Sequence, residues 1–371
     1  MNPYGSLPSS AFWRTAVAEP EPRDIRGLWT PKFAVGQDDM VLTAGSCFAR
    51  HIGRALLEHG MFWHEAEFPP PGLTRAERDA RQYGAFSFRT GNIYTAAVLR
   101  QWLSWAFEES APPAEVWEEE GRWYDPMRPS VEPEGYASAE DVARARAVTL
   151  EAIRGAVSGA SCLVFTLGLT EAWRGRADGT VYPVCPGTVR GTYDAELHEF
   201  HNFTFDEVYG DLCAALALAR RANPELRLLL TVSPVPLTAT ASGGHALTAT
   251  TYSKSVLRAV AGQLAQELDY VDYFPSYEIV TGFPYRAAFF EPNLRSVTPA
   301  GVDFVMGHFF DGIRPAPRTA AHVSGQAPRD DARTDDPTTA HTAHTTVRSP
   351  AHDSGEDLWC DDAVLDYYNP R

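Results

Sequence analysis

Residues 40–57 read MVLTAGSCFARHIGRALL, and this stretch decides the fold. The apolar run at its start predicts a short buried strand, and the amphipathic pattern after it predicts a helix. Between the two, Gly45, Ser46 and Cys47 form a tight turn with a hydroxyl beside a thiol. In an open parallel sheet, active sites form beyond the carboxyl ends of strands and at helix N-termini. The turn therefore presents two candidate nucleophiles, Ser46 and Cys47.

Apolar runs and amphipathic segments continue to alternate along the chain. Residues 162–167 are a continuous apolar run, which is typical of a strand buried on both faces. The alternation predicts an α/β protein, a three-layer α/β/α sandwich with a parallel, flavodoxin-like sheet of about five strands. The predicted strands are 39–46, 62–66, 162–167, 226–232 and 270–274, and the predicted helices are 47–59, about 94–106, 138–157, 205–222, 251–267 and 299–310.

Three segments fall outside this alternation. Residues 1–38 are predicted to lie on the surface as an arm, because prolines interrupt their scattered aromatic residues. Residues 110–138 are predicted to form an inserted loop. Residues 174–204 are predicted to form a long loop with one short hairpin at most.

The composition changes near the end of the chain. From 314 to 357 no aromatic residue, Leu or Ile occurs, so the segment cannot bury enough apolar surface to offset its ordering entropy. We therefore expect a globular domain over 1–312, a disordered linker over 313–357 and a C-terminal segment, 358–371. The last segment regains aromatic residues and is predicted to dock back on the domain.

The net charge limits the possible binding partners, and the cysteine spacing indicates the redox state of the thiols. The net charge of −16 disfavours nucleic acid and anionic membranes, which bind basic surfaces. The five cysteines have irregular spacing without a CxxC pair, which indicates reduced thiols. The first residues do not resemble a signal peptide, and no apolar run approaches the roughly 20 residues that span a bilayer. The sequence thus predicts a cytoplasmic protein without a membrane span, and it leaves the oligomeric state open.

Motifs for metals and cofactors are missing as well. Outside residues 314–357 there is no HxH, HxxxH or carboxylate cluster at ligand spacing, so no metal site is predicted. No GxGxxG follows a predicted strand, which argues against a dinucleotide cofactor. The sequence predicts no cofactor.

Four blocks of the sequence resemble the GSCFA-domain family. The first is the motif that gives the family its name, Gly45 to Ala49. The resemblance covers roughly residues 1–312 and the last dozen residues, and it implies a relationship to the SGNH (GDSL-type) hydrolases, which share the three-layer fold. The other blocks are RTGNIYT at 89–95, TLGLTEAW at 166–173 and YFPSYE at 273–278.

The resemblance to SGNH enzymes also implies roles for single residues. Their first block, Gly-Asp-Ser, places Cys47 on the nucleophile and Ser46 on the Asp. Their oxyanion glycine corresponds to Gly91 with Asn92. Their third block, Gly-x-Asn-Asp, is similar to Gly168 through Glu171, with Thr170 in place of the oxyanion Asn.

The general base is the part of the pattern that is missing. SGNH enzymes carry an Asp and a His just before the last helix, whereas residues 291–298 here contain no His. His51 lies one helical turn after Cys47, and His201 lies on the long loop, so these two are the candidate bases. A thiol at a helix N-terminus has its thiolate favoured by the helix dipole. Arg89, Asn92, Thr170 and Glu171 are candidate pocket residues, or they satisfy hydrogen bonds of turns.

Two functions remain open on this basis. The first is acyl-ester chemistry, by an esterase or O-acyltransferase with a covalent acyl-enzyme on Cys47, or on Ser46. Its substrate would be a small molecule or a polar acceptor such as a glycan, because the long loops 110–138 and 174–204 could form a roof. The alternative is a catalytically degenerate SGNH-like fold that binds a carbohydrate or an acyl group, which the missing His favours.

Overall fold

The computed structural model describes residues 2–313 together with Asp361 and Leu365. The rest of the predicted linker and of the C-terminal segment lies outside the described residues. The strands are β1 (Val41–Gly45), β2 (Trp117–Glu119), β3 (Arg122–Tyr124), β4 (Cys162–Leu167), β5 (Glu171–Gly175), β6 (Val181–Tyr182), β7 (His198–Asn202), β8 (Arg227–Val232) and β9 (Val271–Phe274). The α-helices are α1 (Phe48–Glu58), α2 (Arg75–Ala80), α3 (Ala96–Ala106), α4 (Ala139–Gly159), α5 (Phe205–Ala222), α6 (Ala246–Glu267), α7 (Ser276–Thr281) and α8 (Pro299–Ile313).

The central sheet is parallel throughout and has the strand order β1-β4-β8-β9. Side chains on successive residues of each strand point to opposite faces. Leu42, Phe165 and Leu230 face a core that includes residues of α3, α4, α5 and α6. Val164 and Leu229 face a second core, which includes residues of α1, α7 and α8. The predicted α/β/α sandwich is therefore confirmed.

The sheet has four strands, whereas about five were predicted. The predicted strand 62–66 is reduced to one parallel bridge between Val41 and Trp63. Ser87 takes its place further along β1, because its backbone N donates to Thr43 O at 3.0 Å and its Oγ accepts from Thr43 N at 2.9 Å. The outer edge of β1 is therefore covered by two separate segments.

Helix α1 shows how the pattern of residues 40–57 produces this packing. Phe48, Ile52 and Leu56 recur at a spacing of four residues and are buried in the second core. The polar residues Arg54 and Glu58 lie on the outer face, where they form an exposed ion pair. Within residues 2–313, no helix combines the length and apolar character needed to cross a membrane.

The long loop predicted over 174–204 contains more structure than expected. Strand β5 pairs antiparallel with both β6 and β7, which gives a small separate sheet. Trp173 in β5 lies opposite Tyr182 and Phe200, so aromatic residues hold the three strands together. The predicted loop 110–138 likewise contains the β2–β3 hairpin.

Candidate active site

The Gly45–Cys47 turn leaves the sheet between β1 and α1. Gly45 pairs with Thr166 in β4, and Ser46 N donates to Thr166 O at 3.0 Å, which places the turn at the carboxyl edge of the sheet. Ser46 is only 2% exposed, and its Oγ has no hydrogen-bond partner among the described residues. Cys47 is a free, partly exposed thiol at the N-cap of α1. Of the two candidate nucleophiles, the thiol is the more accessible.

A second loop, residues 91–94, lies against this turn. Ile93 N donates to Gly45 O at 2.8 Å, which ties the loop to the end of β1. Gly91 has a φ of 71°, a left-handed conformation that favours glycine. Asn92 is 1% exposed, and its Nδ2 donates to Asp361 Oδ2 at 2.9 Å. The structure thus brings two predicted pocket residues next to the turn.

A third loop follows β4 and completes the arrangement. Gly168 N and Leu169 N both donate to Tyr94 O, at 3.0 and 3.1 Å. A Cβ added to Gly168 would lie 3.2 Å from the Cβ of Ser46, so the missing side chain permits a close approach of two loops. Three of the four blocks in the resemblance therefore meet at one edge of the sheet.

Helix α6 supports the third loop with two side chains that the sequence analysis missed. Ser253 Oγ accepts from Thr170 N at 2.9 Å, and Lys254 Nζ donates to Gly168 O at 2.6 Å. Lys254 is 1% exposed, which is rare for a lysine. It is also one of only two lysines in the chain, and this rarity is the sequence feature that marks it. Thr170 Oγ1 donates to Asn202 Oδ1 at 2.7 Å, so its hydroxyl proton points to β7.

Arg89 is buried and serves the loop that leads into Gly91. Its guanidinium forms ion pairs with Glu67, at 3.1 Å, and with Glu132. Its Nε donates to Arg81 O at 2.9 Å, and the group lies 4.1 Å from the ring centre of Tyr83. These contacts give Arg89 a role in holding the loop together.

Glu171 lines a cavity of about 210 Å³ next to the three loops. Its carboxylate accepts a hydrogen bond from Thr240 Oγ1 at 2.6 Å, and burial raises its pKa. Cys185 also lines the cavity, and burial raises the pKa of its thiol to about 11. The aromatic residues of the lining are Tyr94, Trp173, Tyr182 and Phe200, and the described C-terminal residues Asp361 and Leu365 contribute as well.

His51 lies on α1, where its ring centre is 5.5 Å from that of Phe48. Burial, together with the positive charges of Arg50 and Arg54, lowers its pKa from 6.5 to about 4. The imidazole is therefore neutral at pH 7 and can accept a proton, although it is a weak base.

We expect the His51→Asn variant to lose less stability than the wild type as the pH falls. The unfolded chain binds a proton at this position below pH 6.5, whereas the folded chain binds it only near pH 4. Protonation in that window favours the unfolded state, so stability falls as the pH falls. Urea unfolding at several pH values from 7 down to 4.5 should give a shallower decline for the variant. Parallel declines in both proteins would contradict a neutral His51.

His201 is placed on β7 and contacts α5. Its Nε2 lies 2.8 Å from Glu207 Oε1, and its ring packs edge-on against Phe203 with centres 4.6 Å apart. In the part of the chain that the structure describes, no hydrogen bond joins an imidazole to Ser46 Oγ. The same residues contain no group of three or more His, Cys, Asp or Glu side chains placed to hold a metal ion.

Comparisons with known proteins give a family and a distant structural similarity. The model of the GSCFA family matches residues 40–309. No curated protein matches the chain. The chain is similar to the crystal structure of a carbohydrate esterase family 3 from Talaromyces cellulolyticus, with 14% identity over 73% of this chain and 92% of that chain. The TM-score is 0.29, a similarity too distant to bear on fold or function.

Proposed function

The chain belongs to the GSCFA family, and on that premise we propose that it carries out acyl-ester chemistry through a covalent acyl-enzyme on Cys47. The observation that carries the proposal is the meeting of three loops beside a partly exposed thiol at the N-terminus of a helix. Such an end carries a positive dipole, which stabilises a negatively charged sulfur or oxygen. The buried Ser46 is the second choice of nucleophile.

In the proposed reaction, the sulfur of Cys47 attacks the carbonyl carbon of an ester and the carbonyl electron pair moves to oxygen. The C–O bond of the tetrahedral intermediate then breaks, which releases an alcohol and leaves a thioester. Water hydrolyses that thioester in an esterase, and an acceptor hydroxyl takes the acyl group in a transferase. The backbone N–H groups of Cys47 and Phe48, together with the amide of Asn92, are the proposed oxyanion donors, because Ala49 N and Arg50 N already donate to Ser46 O and Cys47 O. Gly45, Gly91, Gly168 and Thr170 shape the loops around them.

His51 is the proposed base, because it is neutral at pH 7 and lies one helical turn from Cys47. It takes the thiol proton during attack and returns it to the leaving alcohol oxygen. His201 is the alternative base, although its contact with Glu207 directs it to α5. A loop movement would be needed to bring it to the thiol.

A polar acceptor such as a glycan is the proposed partner for the transferase form. The β2–β3 hairpin and the loop before β7 pack on each other, since Gly191 N donates to Glu119 Oε1 at 2.6 Å. The loop before β7 also lines the cavity through Cys185 and Thr188, so the two segments form the proposed roof, which favours an acceptor other than water. We also propose a cytoplasmic location, which the four free cysteines among the described residues fit.

A non-catalytic binding module is the alternative function. Residues 291–298 contain no His, and His201 is engaged by Glu207, so neither supplies a base in the usual position. In that case the same three loops and the cavity would hold a carbohydrate or an acyl group without reaction. The two functions differ in the reactivity of Cys47.

Substitution of the two candidate nucleophiles tests the proposal. We expect Cys47→Ala to abolish turnover of p-nitrophenyl esters and acyl thioesters, while Ser46→Ala retains it. Mass spectrometry of the wild type mixed with an activated ester should show an acyl adduct on Cys47. Cys213→Ala, at a partly buried thiol on α5, is the matched control and should behave as the wild type.

The outcomes separate the functions. Turnover that survives both Cys47→Ala and Ser46→Ala would rule out the acyl-enzyme. Slow alkylation of Cys47 by iodoacetamide, together with the lack of an acyl adduct, would favour the binding module. Rapid, selective alkylation near neutral pH would count against that module.

A further inference from the structure

The cavity beside the three loops has walls that suit an apolar group. Four aromatic rings and several aliphatic side chains, among them Leu169, Ala172 and Leu237, line it. Burial disfavours the charged form of two lining residues, because it raises the pKa of Glu171 and that of Cys185. Its volume of about 210 Å³ is smaller than the roughly 300–1,000 Å³ of sites for drug-sized ligands. The cavity therefore fits a short chain better than a large ligand.

A buried hydrogen-bond donor lies where this cavity meets the loops. Asn92 is 1% exposed, and its Nδ2 donates to the carboxylate of Asp361 at 2.9 Å. Ile93, the next residue, donates to Gly45 O, so Asn92 directly precedes a residue that contacts the turn carrying Cys47. The carboxylate that accepts the hydrogen bond from Asn92 shows which chemical group the amide can bind.

Asp361 and Leu365 present a carboxylate and an apolar side chain to the same cavity. Asp361 accepts a hydrogen bond from Asn92. Asp361 and Leu365 both line the cavity, although more than 40 positions of sequence separate them from α8. A carboxylic acid with a short apolar tail would offer the same two groups. Such an acid is also the product that an ester releases on hydrolysis.

We infer that Asn92 and the cavity form a binding site for the acyl portion of a short-chain carboxylic acid or ester, and that Asp361 and Leu365 compete with it. The inference deepens the proposed acyl chemistry and rests on it for the position of the reacting carbonyl near Cys47. The carboxylate or carbonyl oxygen accepts from Asn92 Nδ2, and the chain enters the cavity between Tyr94 and Trp173. Asp361 and Leu365 then act as a built-in competitor.

Calorimetric titration of the full chain with butanoate, hexanoate and octanoate tests this site. The titrations use the Cys47→Ala background, so binding is measured whether or not Cys47 is the nucleophile. We expect Asp361→Ala with Leu365→Ala to raise the affinity for hexanoate by about tenfold or more, because the competing groups leave. Asn92→Asp in that background keeps the side-chain shape, repels a carboxylate and should reduce binding below detection.

A second substitution reports on the cavity itself. Cys185→Met places a longer side chain on a loop that lines the cavity, which narrows the cavity. The variant should weaken octanoate binding more than butanoate binding. Cys213→Met changes a thiol outside the cavity and should leave both unchanged. Binding of 1-octanol as tight as that of octanoate would overturn the role of Asn92. An unchanged affinity in the Asp361 and Leu365 variant would overturn the competition, whereas loss of turnover in Cys47→Ala bears only on the proposed reaction.

Discussion

Gly45→Ala is expected to destabilise the protein by about 2–6 kcal/mol, from backbone strain and overpacking together. A Cβ at this position would lie 2.3 Å from Thr166 O, 2.7 Å from Thr166 N and 2.9 Å from Thr166 C. All three are backbone atoms of the central sheet, so none can move aside as a flexible side chain would. The φ of 132° adds strain, because residues with a Cβ rarely adopt it.

Urea unfolding measures this effect, and a glycine in open space provides the control. Gly155 lies on the exposed side of α4, and a Cβ there would meet nothing within 4 Å. Gly155→Ala should therefore stabilise the protein by up to about 1 kcal/mol through helix propensity. A Gly45→Ala protein that unfolds at the same urea concentration as the wild type would show that β1 and β4 can separate. The close contact at the turn would then not be essential.

The sequence predicted the central sheet well because its strands are continuous apolar runs. Cys162–Leu167 and Arg227–Val232 are buried over nearly their whole length, and burial on both faces removes the polar alternation that would obscure them. The turn at Gly45 was equally clear, since one glycine separates an apolar run from an amphipathic one. In such segments local pattern and tertiary packing favour the same structure.

The small sheet was missed because its strands carry little local signal. Strand β7 reads His-Glu-Phe-His-Asn, and it pairs with β5 across more than 20 intervening residues. Its stability comes from contacts such as Trp173 against Phe200, with ring centres 5.8 Å apart, which no local pattern reveals. Long-range pairing of this kind outweighs the low β-propensity of single residues.

Long-range contacts also limit what the sequence reveals about the candidate site, so only its local features could be predicted. Glycines at close approaches, Gly45 and Gly168, were found through the motif blocks that contain them. Ser253 and Lys254 support the third loop from α6, over 80 positions away in sequence, and nothing near them marks that contact. Arg89 was a candidate pocket residue on the sequence, and its ion pairs with Glu67 and Glu132 became visible only in the structure.

The second large effect is expected at Asp125, which lies between two buried arginines. Its carboxylate accepts from Arg128 Nε at 3.0 Å and from Arg146 Nη2 at 2.6 Å. The side chains of Asp125, Arg128 and Arg146 are 1%, 0% and 6% exposed. Burial alone would raise the pKa of this carboxyl group, but the two guanidinium groups outweigh burial and hold the pKa below its ordinary value. The stabilisation is therefore present at neutral pH and is lost only in acid, as the pH falls through the lowered pKa.

This cluster also reaches the candidate site. Arg128 Nη1 donates to Arg89 O at 3.0 Å, and Arg89 lies two residues before Gly91. Removing Asp125 would leave two guanidinium groups buried without their carboxylate, and breaking a buried pair in this way costs about 3–5 kcal/mol. The loop that carries Asn92 would lose part of its support at the same time.

We therefore expect Asp125→Ala to lose about 3–5 kcal/mol of stability in urea unfolding at pH 7, because two buried positive charges repel and stay unpaired. Glu151→Ala is the matched control, since Glu151 is 72% exposed and pairs with Arg154 at 2.6 Å on the surface of α4. An exposed pair contributes about 0–1 kcal/mol, so this control should unfold near the wild type. Equal losses in the two variants would mean that water reaches the arginines around Asp125. The support of the Asn92 loop would then have to come from Arg89 and its own ion pairs.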